Sequence, residues 1–221
     1  MKRAATREWS LTDLRDQILG SGGALSLDVS EAQGELLARY LAELKKWNKT
    51  YNLTAIRDQG EMVALHVADS LAVAPHLPLK PATRLLDVGS GAGLPGIPLA
   101  IAKPEIQVTV LDSNTKKAAF LQQAKAELRL PNVEVIAARV EEWKSAQSFH
   151  IIISRAYSEI AIFIAQAKHL LAPGGLFAAM KGQYPKDEIA ALPAGFAVKE
   201  AIRLNVPGVD AERHLILVGA A

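Results

Sequence analysis

An α/β chain built on a mostly parallel sheet is the fold class this sequence predicts. Three observations lead there. Short aliphatic runs alternate with helical patterns from residue 81 onward, a glycine-rich turn follows the first of those runs, and the last two runs lie too close together for a crossover helix between them. Strands alternating with helices imply a parallel sheet covered on both faces. Residues 1–80 have a different texture, helical throughout. The expected organisation is therefore an N-terminal helical subdomain over 1–80 and an α/β domain over 81–221.

In the first region, Ser30 and Gln33 have the spacing of a capping box. Behind them, Leu36, Leu37, Tyr40, Leu41, Leu44 and Trp47 recur at helical intervals and form one apolar stripe. Lys45, Lys46 and Lys49 gather at the far end, where cations suit the negative pole of the helix dipole. A second helix is expected over 61–73, stopped by Pro75 and Pro78.

In the second region, strands are expected over 84–88, 107–111, 133–137, 150–154 and 176–180. Helices are expected over 113–130, capped by Ser113 or Asn114, and over 159–171, where Pro173-Gly174-Gly175 gives a stop signal. The runs 196–206 and 214–218 complete a set of seven strands. Pro207-Gly208-Val209-Asp210 joins these last two, which makes them an antiparallel pair. A parallel sheet with an antiparallel end suits the methyltransferase version of the doubly wound fold.

Composition narrows the function classes. Half of the 221 residues are apolar but only 5% are aromatic, so aliphatic side chains must build the core. A net charge of +2 and a pI near 8.8 permit a polyanionic partner without demanding one. The absence of cysteine excludes disulfides and thiolate metal sites. The longest run without charged residues, 88–102, is too short and too broken by glycine and proline to span a bilayer. Lys2, Arg3 and Arg7 precede no apolar core, so no signal peptide is expected. The five histidines show no metal-ligand spacing. A monomeric cytoplasmic protein without a metal is the expectation.

Asp87-Val-Gly89-Ser-Gly91-Ala-Gly93-Leu-Pro-Gly96 is the strongest signal in the chain. Glycines at a strand end let the backbone turn sharply and approach a ligand, with a helix N-terminus aimed at it. Read from Gly91, the run is a dinucleotide fingerprint, Gly-x-Gly-x-x-Gly. Read from Asp87, it is Asp-x-Gly-x-Gly-x-Gly, the form found in S-adenosylmethionine enzymes. Chemistry favours the second frame. An acid at 87 meets the ammonium group of a methionine moiety, directly or through water, whereas it would repel a pyrophosphate. Pro95 fits the first helical turn, where its missing N–H is no loss. Asp112 closes the next strand at the position that holds ribose hydroxyls, which both cofactor classes require.

These segments resemble the glucose-inhibited division protein B family, the guanine-N7 methyltransferases of bacterial 16S rRNA. The matching stretches are Trp47-Asn-Lys-Thr-Tyr-Asn-Leu-Thr54, His66-Val-Ala-Asp-Ser-Leu71, Leu86-Asp-Val-Gly-Ser-Gly-Ala-Gly-Leu-Pro-Gly-Ile-Pro98, Arg139-Val-Glu-Glu-Trp143, Ser154-Arg-Ala156, Met180-Lys-Gly182 and Glu212-Arg-His-Leu215. They run in family order over about residues 40 to 219. Residues 1–30 match weakly. The resemblance implies a Rossmann-like S-adenosylmethionine methyltransferase fold, with 16S rRNA or the small ribosomal subunit as partner. It also implies cofactor contacts at Gly89, Leu94, Val140, Glu141 and Arg155. With the acids and the turn, the candidate cofactor residues are Asp87, Gly89, Ser90, Gly91, Leu94, Asp112, Ser113, Val140, Glu141 and Arg155.

Guanine N7 carries a free lone pair, so no general base is required and none is assigned. The Asn/Asp-Pro-Pro-aromatic sequence common in enzymes of exocyclic amines is absent, and Ser154-Arg155-Ala156-Tyr157 stands in its place. Arg155 is the candidate catalytic residue, orienting cofactor or guanine. Its plain alternative is an ion pair with a cleft carboxylate such as Glu159. Tyr157 either stacks on a base or packs. Lys46, Lys49, Arg57, Lys181, Arg203 and Arg213 are candidate RNA contacts. Asn48 and Asn52 are expected to tie the join between helix and loop. Two rival functions stay open at this point: an NAD(P)-dependent oxidoreductase, on the Gly91 frame, and a non-catalytic RNA-binding protein of the same fold.

Overall fold

A computed structural model describes residues 10–221; Lys2, Arg3 and Arg7 lie outside the described residues. The chain opens with α1 (Leu11–Ala24), capped by Ser10, and α2 (Glu31–Tyr51). The expected box is present at α2: Ser30 Oγ accepts the Gln33 N–H and Gln33 Oε1 accepts the Ser30 N–H. The predicted stripe faces inward, with Leu37, Tyr40, Leu41 and Leu44 buried and Leu36 and Trp47 packed against the same core.

The second predicted helix is α3 (Gln59–Met62), which continues as a π-helical stretch, Val63–Ala68, and as α4 (Asp69–Leu71). A 3-10 turn at Ala74–His76 carries Pro75 in its first turn and ends the run. A π-turn widens the helix, and such turns recur at functional sites.

The rest alternates as expected. β1 (Arg84–Val88), α5 (Gly96–Ala102), β2 (Gln107–Leu111), α6 (Thr115–Leu128), β3 (Val133–Ile136), β4 (Phe149–Arg155) and α7 (Ile160–Ala167) follow one another. Then come β5 (Leu171–Lys181), α8 (Lys186–Ala190), β6 (Phe196–Arg203) and β7 (His214–Ala220). Asn114, not Ser113, caps α6, accepting from the N–H groups of Lys116 and Lys117.

The seven strands form one sheet in the order β3-β2-β1-β4-β5-β7-β6, parallel except for β7, which runs against both neighbours. Boundaries differ from expectation at two places, and β6 stops at Arg203 instead of 206. The helix over 159–171 ends sooner, with a 3-10 turn over Lys168–Leu170, and Leu171 already pairs with Phe149. Ile151 next pairs with Leu176, so Pro173-Gly174-Gly175 bulges out of β5 instead of ending a helix.

Two apolar layers cover the sheet. One packs α1, α2, the helical run over 59–71, α5 and α6 against Leu85, Val108, Val110, Ile151 and Ile153. The other packs α7 against Leu86, Val88, Ile152 and Phe177. The N-terminal helices thus share a core with the α/β part, and α2 holds the region behind β1 at two points. The Tyr40 hydroxyl donates to the Ala92 carbonyl, 2.7 Å, inside the glycine turn. Gln33 Nε2 donates to the carbonyls of Ile101 and Ala102, which end α5. Those carbonyls belong to the orphan acceptors of a helix end.

Gln33 therefore caps one helix and satisfies another. Gln33→Ala is expected to lower stability by about 2 kcal/mol in urea unfolding, more than the roughly 1 kcal/mol of a lost cap alone. Gln33→Glu keeps the cap but not the donor, and is expected to lose the difference.

Candidate active site

The crevice of an open α/β sheet lies at the carboxyl ends of its strands, where strand order reverses. Here that point lies between β1 and β4, and both the glycine turn and Arg155-Ala156-Tyr157 leave the sheet there. The turn closes on itself through Ser90, whose carbonyl accepts from Gly93 and Leu94, while the Ser90 N–H donates to the Leu111 carbonyl. The Leu94–Pro95 peptide bond is cis.

Asp87 is wholly buried, and its Oδ2 accepts the Gly96 N–H at 2.8 Å, capping α5. A Cβ on Gly96 would stand 2.6 Å from Val110 Cγ1 and 2.9 Å from that carboxylate, so only glycine fits. Burial pushes the Asp87 carboxyl up to about 7, against the Gly96 N–H and the Arg155 charge, which favour ionisation. Asp87 Oδ1 has no partner among the described residues. Neither do Ser90 Oγ, Ser154 Oγ, Ser70 Oγ and His66 Nδ1. Buried polar atoms are nearly always paired, so the unpartnered ones beside the glycine turn (Asp87 and Ser90) and in β4 (Ser154) fit a place that receives a ligand.

Asp112 sits at the end of β2 and accepts the N–H groups of Gly91 and Asn114, at 2.9 and 2.8 Å, with Lys117 Nζ 3.7 Å away. It pins the glycine turn to the second strand and lines a cavity of about 310 Å³. That cavity brings together Gly89, Asp112, Ser113, Val140 and Glu141 of the predicted set. Tyr157 forms one wall: a Cβ on Gly89 would lie 2.5 Å from its ring. The Tyr157 hydroxyl donates to Gln166 Oε1, 2.8 Å away. Asp87, Ser90, Gly91 and Leu94 shape the turn behind this cavity and are not among its lining residues.

Arg155 lines a second cavity, of about 480 Å³, together with His66, Asp69, Lys181, Arg213 and His214. Its partner is not Glu159. Arg155 Nη1 donates to Asp69 Oδ2 at 3.0 Å and to the Leu65 carbonyl at 2.7 Å, and Arg213 Nε donates to Asp69 Oδ1 at 3.0 Å. Burial and the neighbouring Arg155 push His66 down to about 4, so its ring is neutral near pH 7. Its Nε2 lies 3.1 Å from Thr54 Oγ1, and Asn48 Oδ1 accepts the Thr54 N–H. Asn52 caps α2 in the left-handed region and accepts from Arg57. The two asparagines are thus structural ties, as expected.

His214 Nδ1 lies 3.0 Å from the Gly182 carbonyl. Lys181 Nζ reaches the Ser158 carbonyl and Glu188. Segments scattered from residue 56 to residue 214 therefore converge on one cavity. Ala156, held at φ +53°, lines both cavities. A non-glycine residue in the left-handed region is strained, and such strain collects at functional sites.

Sequence reasoning missed Asp69 as a site residue. Its signal was an acid inside the otherwise apolar run Met62–Ala74, where a buried carboxylate requires partners. Among the described residues, no group of three or more His, Asp or Glu side chains is arranged to hold a metal ion.

The raised Asp87 carboxyl makes the stability of the free protein depend on pH. A carboxyl at about 7 when folded and 3.8 when unfolded binds its proton more tightly in the fold. Its contribution is complete below about pH 4 and is lost as pH rises through 7. Asp87→Asn, always neutral, is expected to gain in Tm over the parent protein from pH 4 upward, levelling off above pH 7. A constant difference across that range would contradict the assignment.

Comparison with known proteins bears on the fold and on the family. Solved structures with similar folds include TrmN from Thermus thermophilus (TM-score 0.56, 21% identity, 69% of this chain and 48% of that one). Another is an S-adenosylmethionine-dependent methyltransferase from Thiobacillus denitrificans in complex with S-adenosyl-L-homocysteine (TM-score 0.51, 13% identity, 69% of this chain and 91% of that one). At these identities they bear on the fold alone: a Rossmann-like methyltransferase sheet with N-terminal helices added. Sequence relatives are much nearer. The ribosomal RNA small subunit methyltransferase G of Chromobacterium violaceum is 56% identical over 192 residues, 87% of this chain and 91% of that protein. The protein of the same description from Neisseria meningitidis serogroup B is 48% identical, covering 92% of this chain and 97% of the other. The family model for rRNA small subunit methyltransferase G matches residues 33–216, and the chain belongs to that family, GidB.

Proposed function

We propose that this protein transfers a methyl group from S-adenosylmethionine to N7 of a guanine in 16S rRNA of the small ribosomal subunit. One observation carries the reading: two cavities of different chemistry meet at Ala156, one beside the glycine turn and one lined by two arginines. The curated names of its relatives supply the ribosomal substrate.

When bound, S-adenosylmethionine supplies a methyl group on a sulfonium cation. The residues around the turn fit it. Asp87 Oδ1 is a buried acceptor without a partner, suited to an ammonium group. Asp112 carries lone pairs beyond its two backbone bonds for ribose hydroxyls, with Ser113 beside it. Val140 and Glu141 offer an apolar and a polar contact for the adenine ring. Gly89, Ser90, Gly91 and Leu94 give the turn its close approach.

On the other side, Arg155 addresses the base. N7 must keep its lone pair for the methyl, so arginine donors belong on O6 and on phosphate. In transfer, that lone pair forms the C–N bond while the C–S bonding pair goes to sulfur, and no proton leaves. The chain's part is alignment, which is worth much in such a reaction.

We further propose that residues 81–221 form the methyltransferase domain, which holds the cofactor and both arginines, and that the helical subdomain 1–80 adds His66 and Asp69 to the substrate-side cavity. RNA contact by Lys46, Lys49, Arg57 and Arg203 would make affinity fall with salt. The protein is taken as a monomer because one chain builds both cavities. Cytoplasmic action follows from a ribosomal substrate, and no described helix is long and apolar enough to cross a membrane. The nicotinamide reading is not favoured: it leaves the buried Asp87 facing pyrophosphate. A non-catalytic RNA-binding role leaves the glycine turn and the polar atoms around it without a use.

The test is transfer of labelled methyl to 30S particles and naked 16S rRNA from a strain lacking the enzyme, mapped by cleavage specific to N7-methylguanine. One labelled guanine is expected. Asp112→Ala strips acceptors from Gly91 and Asn114 and is expected to weaken cofactor binding by about 10- to 100-fold. Cofactor binding without RNA labelling would overturn the ribosomal assignment.

A further inference from the structure

We infer that Asp69 is a positioning residue for methyl transfer: its single carboxylate holds Arg155 and Arg213 against the target base and offsets their charge where the base becomes cationic. This rests on the function proposed above. Asp69 is 3% exposed, and each carboxylate oxygen takes one guanidinium at 3.0 Å. The two arginines come from the end of β4 and the segment before β7, so one acid fixes their separation.

The helix itself helps. Asp69 follows the π-helical stretch directly, and the Leu65 carbonyl within that stretch takes the same Arg155 Nη1 that reaches Asp69. Arg213 Nη1 is bound to the Glu212 carbonyl. Arg155 Nε and Nη2 and Arg213 Nη2 stand outside these bonds, in side chains that line the cavity. Each arginine is thus gripped by part of its fork and keeps the rest for a ligand.

Charge gives the second reason. As methyl moves from sulfur to N7, the positive charge moves with it, from the sulfonium onto the guanine ring. Two bare guanidinium groups beside that ring would oppose the transfer. Asp69 cancels one of them from within the same cavity, and the buried His66 adds no further cation there. A merely structural ion pair would have no need to line a cavity with all of its members, Arg155, Asp69 and Arg213.

The experiment compares Asp69→Asn and Asp69→Glu with the parent protein in the labelled-methyl assay on 30S particles, alongside cofactor affinity by titration. Asp69→Asn is expected to lower kcat about 100-fold, the scale of a misplaced reacting group. Cofactor affinity should hold within about twofold, because the glycine-turn cavity is untouched. Asp69→Glu restores the charge on a longer arm and is expected to recover about tenfold of that loss. A folded Asp69→Asn protein with parental kcat would overturn the inference, as would a loss of cofactor affinity equal to the loss of kcat. Should Asp69→Asn not fold, Asp69→Glu decides alone: a kcat about tenfold below the parent at unchanged cofactor affinity supports the role, and parental kcat refutes it. No transfer by the parent protein would instead sink the proposed function, and this inference with it.

Discussion

The Asp87 carboxylate, wholly buried at the end of β1, accepts the N–H that opens α5, and most of the site's geometry follows from that bond. It fixes where the glycine turn must return, and it leaves Gly96 no room for a side chain. It also places an acid in a dry environment, where its charge is disfavoured until a cation arrives. The surrounding contacts hold the turn from other directions. Asp112 pins it to β2, and Tyr40 and Gln33 brace it and α5 from α2. A turn held from several sides does not need to reorganise when a ligand enters, and such preorganisation is where positional catalysis draws its advantage.

The second half of the site depends on an analogous device. Asp69 does for two guanidinium groups what Asp112 does for the turn: one carboxylate sets two partners. The two halves meet at Ala156, whose strained backbone lets β4 deliver Arg155 to one cavity and Tyr157 to the other. Residues two apart in a continuing strand, as Arg155 and Tyr157 are in sequence, would have pointed to the same face of the sheet. Here the strand has just ended, and the turn spreads the side chains along the crevice. The N-terminal helices are a working part of this arrangement, because the chain of contacts from Asn48 through Thr54 to His66 carries α2 to the wall of the second cavity.

Much of this was legible in the sequence, for identifiable reasons. Seven strands, the capping box at Ser30, the antiparallel end and the glycine turn all rest on local rules: period, caps and backbone freedom. The failures were long-range. The Pro173-Gly174-Gly175 stretch reads as a helix stop, yet Leu171 is already paired, because a β-bulge and a helix end call for the same residue types. Glu159 is the carboxylate that the sequence offers as an alternative partner for Arg155, but the acid that holds it stands 86 residues away in sequence, beyond any spacing rule. Lys181 and Arg213 look like solvated RNA contacts in the sequence, yet both are tied into the fold. Asp69 left one trace, a charge in an apolar helix, and only the fold shows which cations answer it.

The central claim is that a methyl held beside the glycine turn is presented through Ala156 to the arginine-lined cavity. A crystal structure of the protein with S-adenosylmethionine bound tests it most directly. The expected result is an ammonium group facing Asp87, an adenine ring beside Val140 and Glu141, and the sulfonium methyl aimed at the cavity of Arg155, Asp69 and Arg213. A methyl aimed away from that cavity, or a cofactor seated apart from the glycine turn, would contradict it.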